Sequence, residues 1–344
     1  MQGQNIWRVT IDTNPEDCNL QCVMCEEHSP YSDFIPTLFK TTGIKRRRMP
    51  VEWIDKIFID AKKLGVAEII PSTMGEPLLY KDFEHIINLS HKHGIKLNLT
   101  TNGTFPKKSV KEWAELIVPV TTDIKISWNG ATKETAQEVM SGIDFDEALK
   151  NVKEFIQERD IHFFKAGYYC RVTFQLTFMQ NNMSELADII KLAAELGVDR
   201  VKGHHLWTHF SEIENLSMKH SPESIEQWNR FVQEAYAVQG KYLKPDGTKV
   251  VLENIIPLNS YSQLNEVPQH YDCPFLNKEL WISAAGKISP CCAPDNLRQS
   301  LGDFGNYQDK GLVEVVNGDE YRNLVKNYKS IPLCKTCNMR KPKA

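Results

Sequence analysis

Three cysteines crowd into eight residues near the start of the chain, Cys18-Asn19-Leu20-Gln21-Cys22-Val23-Met24-Cys25, just after an apolar run over residues 6–11. A tight loop can aim all three thiolates at one inorganic centre. Soft sulfur ligands suit zinc, copper(I) or an iron–sulfur cluster. A structural zinc takes a closed set of four ligands. A cubane cluster has four irons, so three cysteines leave one iron open to a substrate or cofactor. A second set lies toward the other end: Cys273, Cys291, Cys334 and Cys337, with Cys292 beside the second of them. Four thiolates close a cubane and leave no iron open. The competing chemistry is zinc, as a half-site at the first group and as a ribbon-like hairpin at the second. A zinc ribbon usually opens with a close pair of cysteines, and Cys273 has no such neighbour.

These ligands need a scaffold. At 344 residues the chain is long enough for one barrel plus an appendage, and 41% hydrophobic residues supply a sizeable core. A net charge of −3 gives no whole-chain signal for nucleic acid or an anionic membrane, so neither is an expected partner. Residues 1–10 contain no signal-peptide core, and no apolar stretch is long enough to cross a bilayer. A cytoplasmic location is therefore the expectation, and nine cysteines there argue for metal chemistry over disulfides.

A polar loop over residues 26–50 ends in Lys45-Arg46-Arg47-Arg48, which reads as solvated surface or as a docking patch for an acidic partner. From residue 51 onward, helical and extended periodicities alternate. Helices are predicted over 53–64, 83–93, 110–117, 145–157 and 183–196. Strands are predicted over 66–71, 95–100, 123–128, 170–179 and 198–205. This alternation implies parallel βα units and an α/β fold. The pattern stops from 211 to about 267. There, Ser221-Pro222-Glu223 opens a helix, and residues 244–257 read as a hairpin around Asp246-Gly247. Beyond lie a strand at 279–283, a turn at Ala285-Gly286-Lys287, a return strand and a helix over 312–328.

The CxxxCxxC triplet after a first strand resembles the signature of radical S-adenosylmethionine (SAM) enzymes. The residue before the third cysteine is often aromatic in that family; here it is Met24, also apolar and polarizable. The resemblance implies a partial (β/α)6 TIM-like barrel and a [4Fe–4S] cluster with an open iron on Cys18, Cys22 and Cys25. That iron chelates SAM, and an electron from a flavodoxin- or ferredoxin-like donor cleaves it to a 5′-deoxyadenosyl radical. Further motifs follow at strand ends, where such barrels keep their chemistry. Met74-Gly75-Glu76-Pro77 is similar to the family's glycine–glutamate motif, with Gly75 for close backbone approach and Glu76 on the SAM ammonium; a plain turn is the alternative. Thr101-Asn102-Gly103-Thr104 also recurs in the family near SAM and suggests Asn102 as a contact. Ser127-Trp128-Asn129-Gly130 is similar to a Ser-x-Asp-Gly segment in which Ser127 bonds SAM, with Asn129 in place of the usual Asp.

Arg171 and Gln175 share one strand face as further cofactor candidates. A lumen-facing Arg171 could hold the SAM carboxylate, or it could sit at the strand's solvent end. Cys170 faces the other way, as a buried thiol. His204, His205 and His209, with Trp207, could line the substrate pocket, one histidine acting as acid, base or donor. His205 and His209 also have spacing compatible with zinc.

The late cysteines resemble the twitch domain, a shortened relative of the SPASM extension. They imply one auxiliary [4Fe–4S] cluster on Cys273, Cys291, Cys334 and Cys337, with Cys292 spare or an alternative to Cys291. The expected organisation is a barrel over 1–215, a bridging segment over 216–267 and an auxiliary domain, a β-hairpin plus helix, over 268–344. The expected activity is redox modification (dehydrogenation, epimerisation or dehydration) of a small polar substrate such as a sugar. A ribosomally made peptide is the other substrate; a start directly on the first strand favours the small molecule. A non-catalytic zinc or iron–sulfur binding module is the alternative of another class.

Overall fold

In the computed structural model, which describes residues 6–259, 267–293, 295–337 and 339–342, the run Arg171–Phe178 alternates strictly. Val172, Phe174, Leu176 and Phe178 are fully buried against the outer helices, whereas Arg171, Gln175 and Thr177 line an internal cavity. Parallel strands covered on both faces are usually apolar on both. A polar inner face here means that the centre of the fold is a lumen that packing does not fill.

The strands are β1 (Arg8–Ile11), β2 (Gln21–Cys22), β3 (Glu68–Ile70), β4 (Lys96–Thr101), β5 (Thr121–Ser127), β6 (Met140–Ser141), β7 (Arg171–Phe178), β8 (Arg200–His205), β9 (Val251–Glu253), β10 (Glu279–Ile282) and β11 (Ile288–Ser289). Nine of them form one sheet in the order β11-β10-β1-β3-β4-β5-β7-β8-β9, parallel throughout except for the β10–β11 hairpin. The short β2 and β6 pair apart from it, with Cys22 opposite Met140.

Helices wrap the outside. Trp128 stacks on Phe174 at 4.8 Å between ring centroids, and Trp228, on the helix Pro222–Gln239, meets Phe178 at 4.6 Å. The helix Val51–Leu64 ends at Gly65, whose φ of 73° is a left-handed cap that glycine adopts without strain. Among the described residues, no helix is long and apolar enough to cross a membrane.

Several elements depart from the sequence reading. The polar loop contains the helix Phe34–Thr42, none of whose residues is buried; Phe34, Ile35, Leu38 and Phe39 recur at helical spacing, a signal that the sequence reading passed over. The helix expected over 145–157 runs on to Ala166 and ends at Gly167. The helix expected over 312–328 breaks at Gly318 into Leu312–Asn317 and Asp319–Asn327. The turn at Asp246-Gly247 is present as a single antiparallel bridge, Leu243 to Lys249, but its return arm becomes β9 and pairs parallel with β8. The C-terminal hairpin likewise joins the barrel sheet through β10, Arg8 standing opposite Glu279 and Ile11 opposite Ile282. Strand pairing at long range is invisible to local periodicity.

The basic run is solvated surface at Lys45, Arg46 and Arg48, which are exposed, but its arginines are also paired and Arg47 is half-buried. Arg47 binds Glu16 and Glu27, while Arg48 donates to Asp17 at 2.8 Å and Arg46 reaches Asp17 at 3.2 Å. These acids flank the first cysteine group, so the run staples that loop.

One buried ion pair fixes the outer layer to the sheet. Arg159, 2% exposed, donates to Asp199 at 2.8 Å and to the Cys170 carbonyl at 3.1 Å. Asp199 also accepts from the Val172 amide, Tyr169 and Lys244. Removing one partner of a buried pair strands the other charge. Arg159→Ala is expected to lose about 3 kcal/mol of stability, read as a shift in the chemical denaturation midpoint. An unshifted midpoint would show that Lys244 alone suffices.

Candidate active site

The chain leaves β1 at Ile11, turns where the Asp17 amide donates to the Asn14 carbonyl at 3.0 Å, and delivers Cys18, Cys22 and Cys25 at the carboxyl ends of the parallel strands. The Val23 amide donates to the Val139 carbonyl, and the Cys25 amide to the Cys22 carbonyl, both at 3.0 Å. The His28 amide points at Cys25 Sγ (3.4 Å) and Asn102 Nδ2 at Cys18 Sγ (3.9 Å). Hydrogen bonds onto the sulfurs are a feature of cluster ligation. Burial pushes the Cys25 thiol up to about 11 and the Cys22 thiol well above the usual range, and neighbouring thiolates push them further. A metal centre would invert that balance, because a coordinating thiol is deprotonated outright. Among the described residues, no three ligands converge on one point as those of a single ion would. The fit to a cluster therefore rests on donor type, grouping and the N–H donors aimed at sulfur.

Behind the loop stands Glu76, 1% exposed. Its carboxylate accepts from the Leu78 amide (3.1 Å), the Thr101 hydroxyl (2.8 Å) and the Asn102 amide (2.7 Å). Its own amide donates to the Asp17 carbonyl at 2.8 Å. Burial pushes its carboxyl up to about 7 against those donors. A Cβ on Gly75 would stand 2.1 Å from the Asn14 carbonyl oxygen, so glycine is required here by the approach of the cysteine loop itself. Gly75 and Glu76 thus buttress the loop. Asn102 donates to Asn19 Oδ1 at 2.8 Å and accepts from Thr104, tying the end of β4 to the same loop. Asn129 Oδ1 accepts from the Thr177 amide at 2.8 Å, a structural use of this position. Ser127 ends β5 half-buried, in register with Gln175.

A cavity of about 840 Å³ runs the length of the lumen. Cys25, Arg171, Gln175, His204 and His209 line it; Gly75, Glu76, Asn102 and Ser127 are not among its lining residues. Arg171 is the first residue of β7 and is exposed, about 23 Å below that strand's carboxyl end at 3.3 Å per residue. That places it at the far end of the lumen from the cysteine loop, away from any SAM held there. His205 points out of the lumen and packs edge-on against Phe178 and Trp228 at 5.4 and 4.9 Å. This orientation turns it away from the cavity that His209 lines. His204 faces in, 3.5 Å from Gln175, and burial lowers it to about 4, so it is neutral at pH 7.

Two carboxylates at the cysteine end were not picked out from the sequence. Asp12 and Glu27 line the cavity, and each has one oxygen, Oδ1 and Oε2, with no partner among the described residues. Burial raises both, Asp12 to about 6 and Glu27 to about 9. The available signal for Asp12 was its two-residue step from Thr10 and Arg8 on one strand face.

The auxiliary cysteines close the same cavity from the other side. Pro274, Cys292 and Ala293 line it together with Met24 and Cys25. Cys273, Cys291, Cys334 and Cys337 lie close enough that each thiolate disfavours its neighbours, and the Leu276 and Ala293 amides point at Cys273 and Cys291 Sγ at 3.3 and 3.4 Å. Cys292 is the cysteine turned toward the lumen.

The chain matches the Radical SAM superfamily over residues 15–193 and the iron–sulfur cluster-binding domain called SPASM over residues 273–338. It belongs to the radical SAM superfamily and carries a C-terminal SPASM-like domain, and its cofactors are SAM, a [4Fe–4S] cluster and auxiliary iron–sulfur ligation. It is 24% identical over 342 residues to a tungsten-containing aldehyde ferredoxin oxidoreductase cofactor-modifying protein of Pyrococcus furiosus, covering 94% of this chain and 85% of that one. Among solved structures it resembles SuiB of Streptococcus suis bound to S-adenosylmethionine (20% identity, TM-score 0.66, covering 97% of this chain and 72% of that one). It also resembles native anSMEcpe with bound AdoMet (18% identity, TM-score 0.62, covering 97% and 89%). At these identities the structural likeness is one of fold.

Because Glu76 holds Asn102 and the cysteine loop rather than facing the lumen, Glu76→Ala is expected to weaken SAM binding by about 1.5–3 kcal/mol, the range for hydrogen bonds to a charged group. Calorimetric titration of the cluster-loaded protein with SAM reads this. Wild-type affinity would reduce Met74-Gly75-Glu76-Pro77 to a plain turn.

Proposed function

We propose that this protein cleaves SAM reductively at a cluster held by Cys18, Cys22 and Cys25 and uses the radical to dehydrogenate, epimerise or dehydrate a small polar substrate, such as a sugar, in the lumen. The observation that carries this reading is the single cavity bounded by Cys25 at one wall and Cys292 at another. A molecule in it lies between both cysteine groups. When bound, the cluster and SAM supply a one-electron reduction and a hydrogen-abstracting 5′-deoxyadenosyl radical.

The chain's own residues do the rest. Met24 keeps water from the cluster side of the cavity. Asp12 Oδ1 and Glu27 Oε2 have open lone pairs for a hydroxyl or ammonium, and Asp12 is placed to take the proton that a dehydrogenation releases. Neutral His204 orients a polar group. Cys273, Cys291, Cys334 and Cys337 would hold an auxiliary cluster, which would supply a one-electron acceptor beside the lumen. We assign residues 1–215 to the barrel, 216–267 to a bridge that lends it β9, and 268–344 to the auxiliary domain. A flavodoxin- or ferredoxin-like donor and a cytoplasmic location complete the reading.

A peptide substrate is the second reading. It is favoured by a groove of about 540 Å³ between the helix Phe34–Thr42 and residues 207–210, which shares Glu26, Phe34, Trp207 and His209 with the lumen. An extended chain could enter along it. The similarity to SuiB, one structure of which is bound to its precursor peptide, points the same way.

Anaerobically purified protein is expected to hold about eight irons with matching sulfide. The double variant Cys334→Ala/Cys337→Ala is expected to keep about half of that iron and still release some 5′-deoxyadenosine with dithionite. Zinc without sulfide in the wild type would overturn the enzyme reading in favour of a binding module.

A further inference from the structure

The floor of the lumen is a network of satisfied ion pairs. Arg8 binds Glu68 at 2.8 Å and Glu279 at 3.7 Å, and Glu279 also accepts from Thr10. Arg200 binds Asp123, which accepts from Thr173, and binds Glu253 at 2.6 Å; Lys202 reaches the other oxygen of Glu253 at 3.5 Å. Among the described residues, one buried cation above this floor has no answer; Arg171, which also lines the cavity, is exposed at its far end. Lys125 lies on the lumen face of β5, in register with Thr100 of β4 and Thr173 of β7. It is 9% exposed and lines the cavity. Among the described residues it has no ion pair and no hydrogen-bond acceptor. The carboxylates that it feels, Asp123 and Glu279, are engaged as above, and its other charged neighbours, Lys202 and Arg8, repel it. The remaining acids of the lumen, Asp12, Glu26 and Glu27, belong to the cysteine end.

A buried ammonium without a counter-ion is costly. Packing alone would be served by methionine, which is of similar length and carries no charge. We propose that Lys125 is the docking point for a carboxylate of the substrate, which completes the missing ion pair as the substrate enters the lumen. One unanswered cation calls for one negative charge; a phosphate carries nearly two at neutral pH, and the nearest second cation, Lys202, is already held by Glu253. Burial, then the Lys202 ammonium, draws Lys125 down to about 7, and a bound carboxylate restores its charge. Lys125 lies two residues below the end of β5, so the acid group sits about 7 Å deeper than the strand ends, with the reacting carbon between it and Cys25. This rests on the lumen being the substrate site.

The test uses holoenzyme loaded with both clusters and SAM, titrated calorimetrically with propionate and with inorganic phosphate. Propionate is expected to bind the wild type and Lys125→Arg, to bind Lys125→Met about tenfold or more weakly, and to outcompete phosphate in the wild type. Iron content and the retained binding of Lys125→Arg separate loss of the site from misfolding. No propionate binding by the wild type, equal binding by Lys125→Met, or tighter binding of phosphate overturns the proposal. A matching loss of SAM affinity in Lys125→Met also overturns it, by transferring the site to the cofactor's own carboxylate. Release of 5′-deoxyadenosine by the wild type is scored separately: its absence with propionate binding intact sinks the radical reading and leaves the carboxylate site standing.

Discussion

A buried carboxylate holds the cofactor end of this barrel together. Glu76 gathers donors from its own turn at Leu78 and from the end of β4 at Thr101 and Asn102, while its amide and the bare Cα of Gly75 clasp the loop that leads to Cys18. Burying that charge is costly, and the donors offset the cost only while all of them stay in place. These contacts position the cysteine loop on the barrel. The second clamp, Arg46, Arg47 and Arg48 on Glu16, Asp17 and Glu27, fixes the same loop from outside.

The polar lumen is the other constraint. A sheet whose inner face carries Arg8, Glu68, Asp123, Lys125, Arg200 and Lys202 cannot collapse into a packed core, so its outer face and helices supply the apolar burial. On its floor Arg8 pairs with Glu68, and Arg200 with Asp123 and Glu253. Addition of β10 to β1 extends the sheet and brings Cys292 to the wall of the space that Cys25 lines. The lumen and both cysteine groups thus follow from one extended sheet.

Local features are legible in the sequence, and pairing at a distance is not. The cysteine spacing, the alternating periodicities and turns such as Met74-Gly75-Glu76-Pro77 are contained in windows of a few residues, and they carry the barrel and its cofactors. Arg47 meets acids 31 and 20 residues away, and Arg159 meets Asp199 across 40. Nothing local marks those partners, which is why the sequence shows the exposure of the basic run but not the pairing of its arginines. His205 shows the same limit in another form. Its neighbour His204 faces the lumen, so strand alternation turns His205 outward, yet only the fold shows which of the two faces in.

The central claim is that Cys18, Cys22 and Cys25 hold the cluster at which SAM is cleaved. Its most direct test is 5′-deoxyadenosine production by the reduced, reconstituted triple alanine variant at these positions, measured by chromatography beside the wild type. The account predicts product from the wild type, none above background from the variant, and about half the iron retained on the auxiliary cysteines. Production at the wild-type rate by the variant would contradict it.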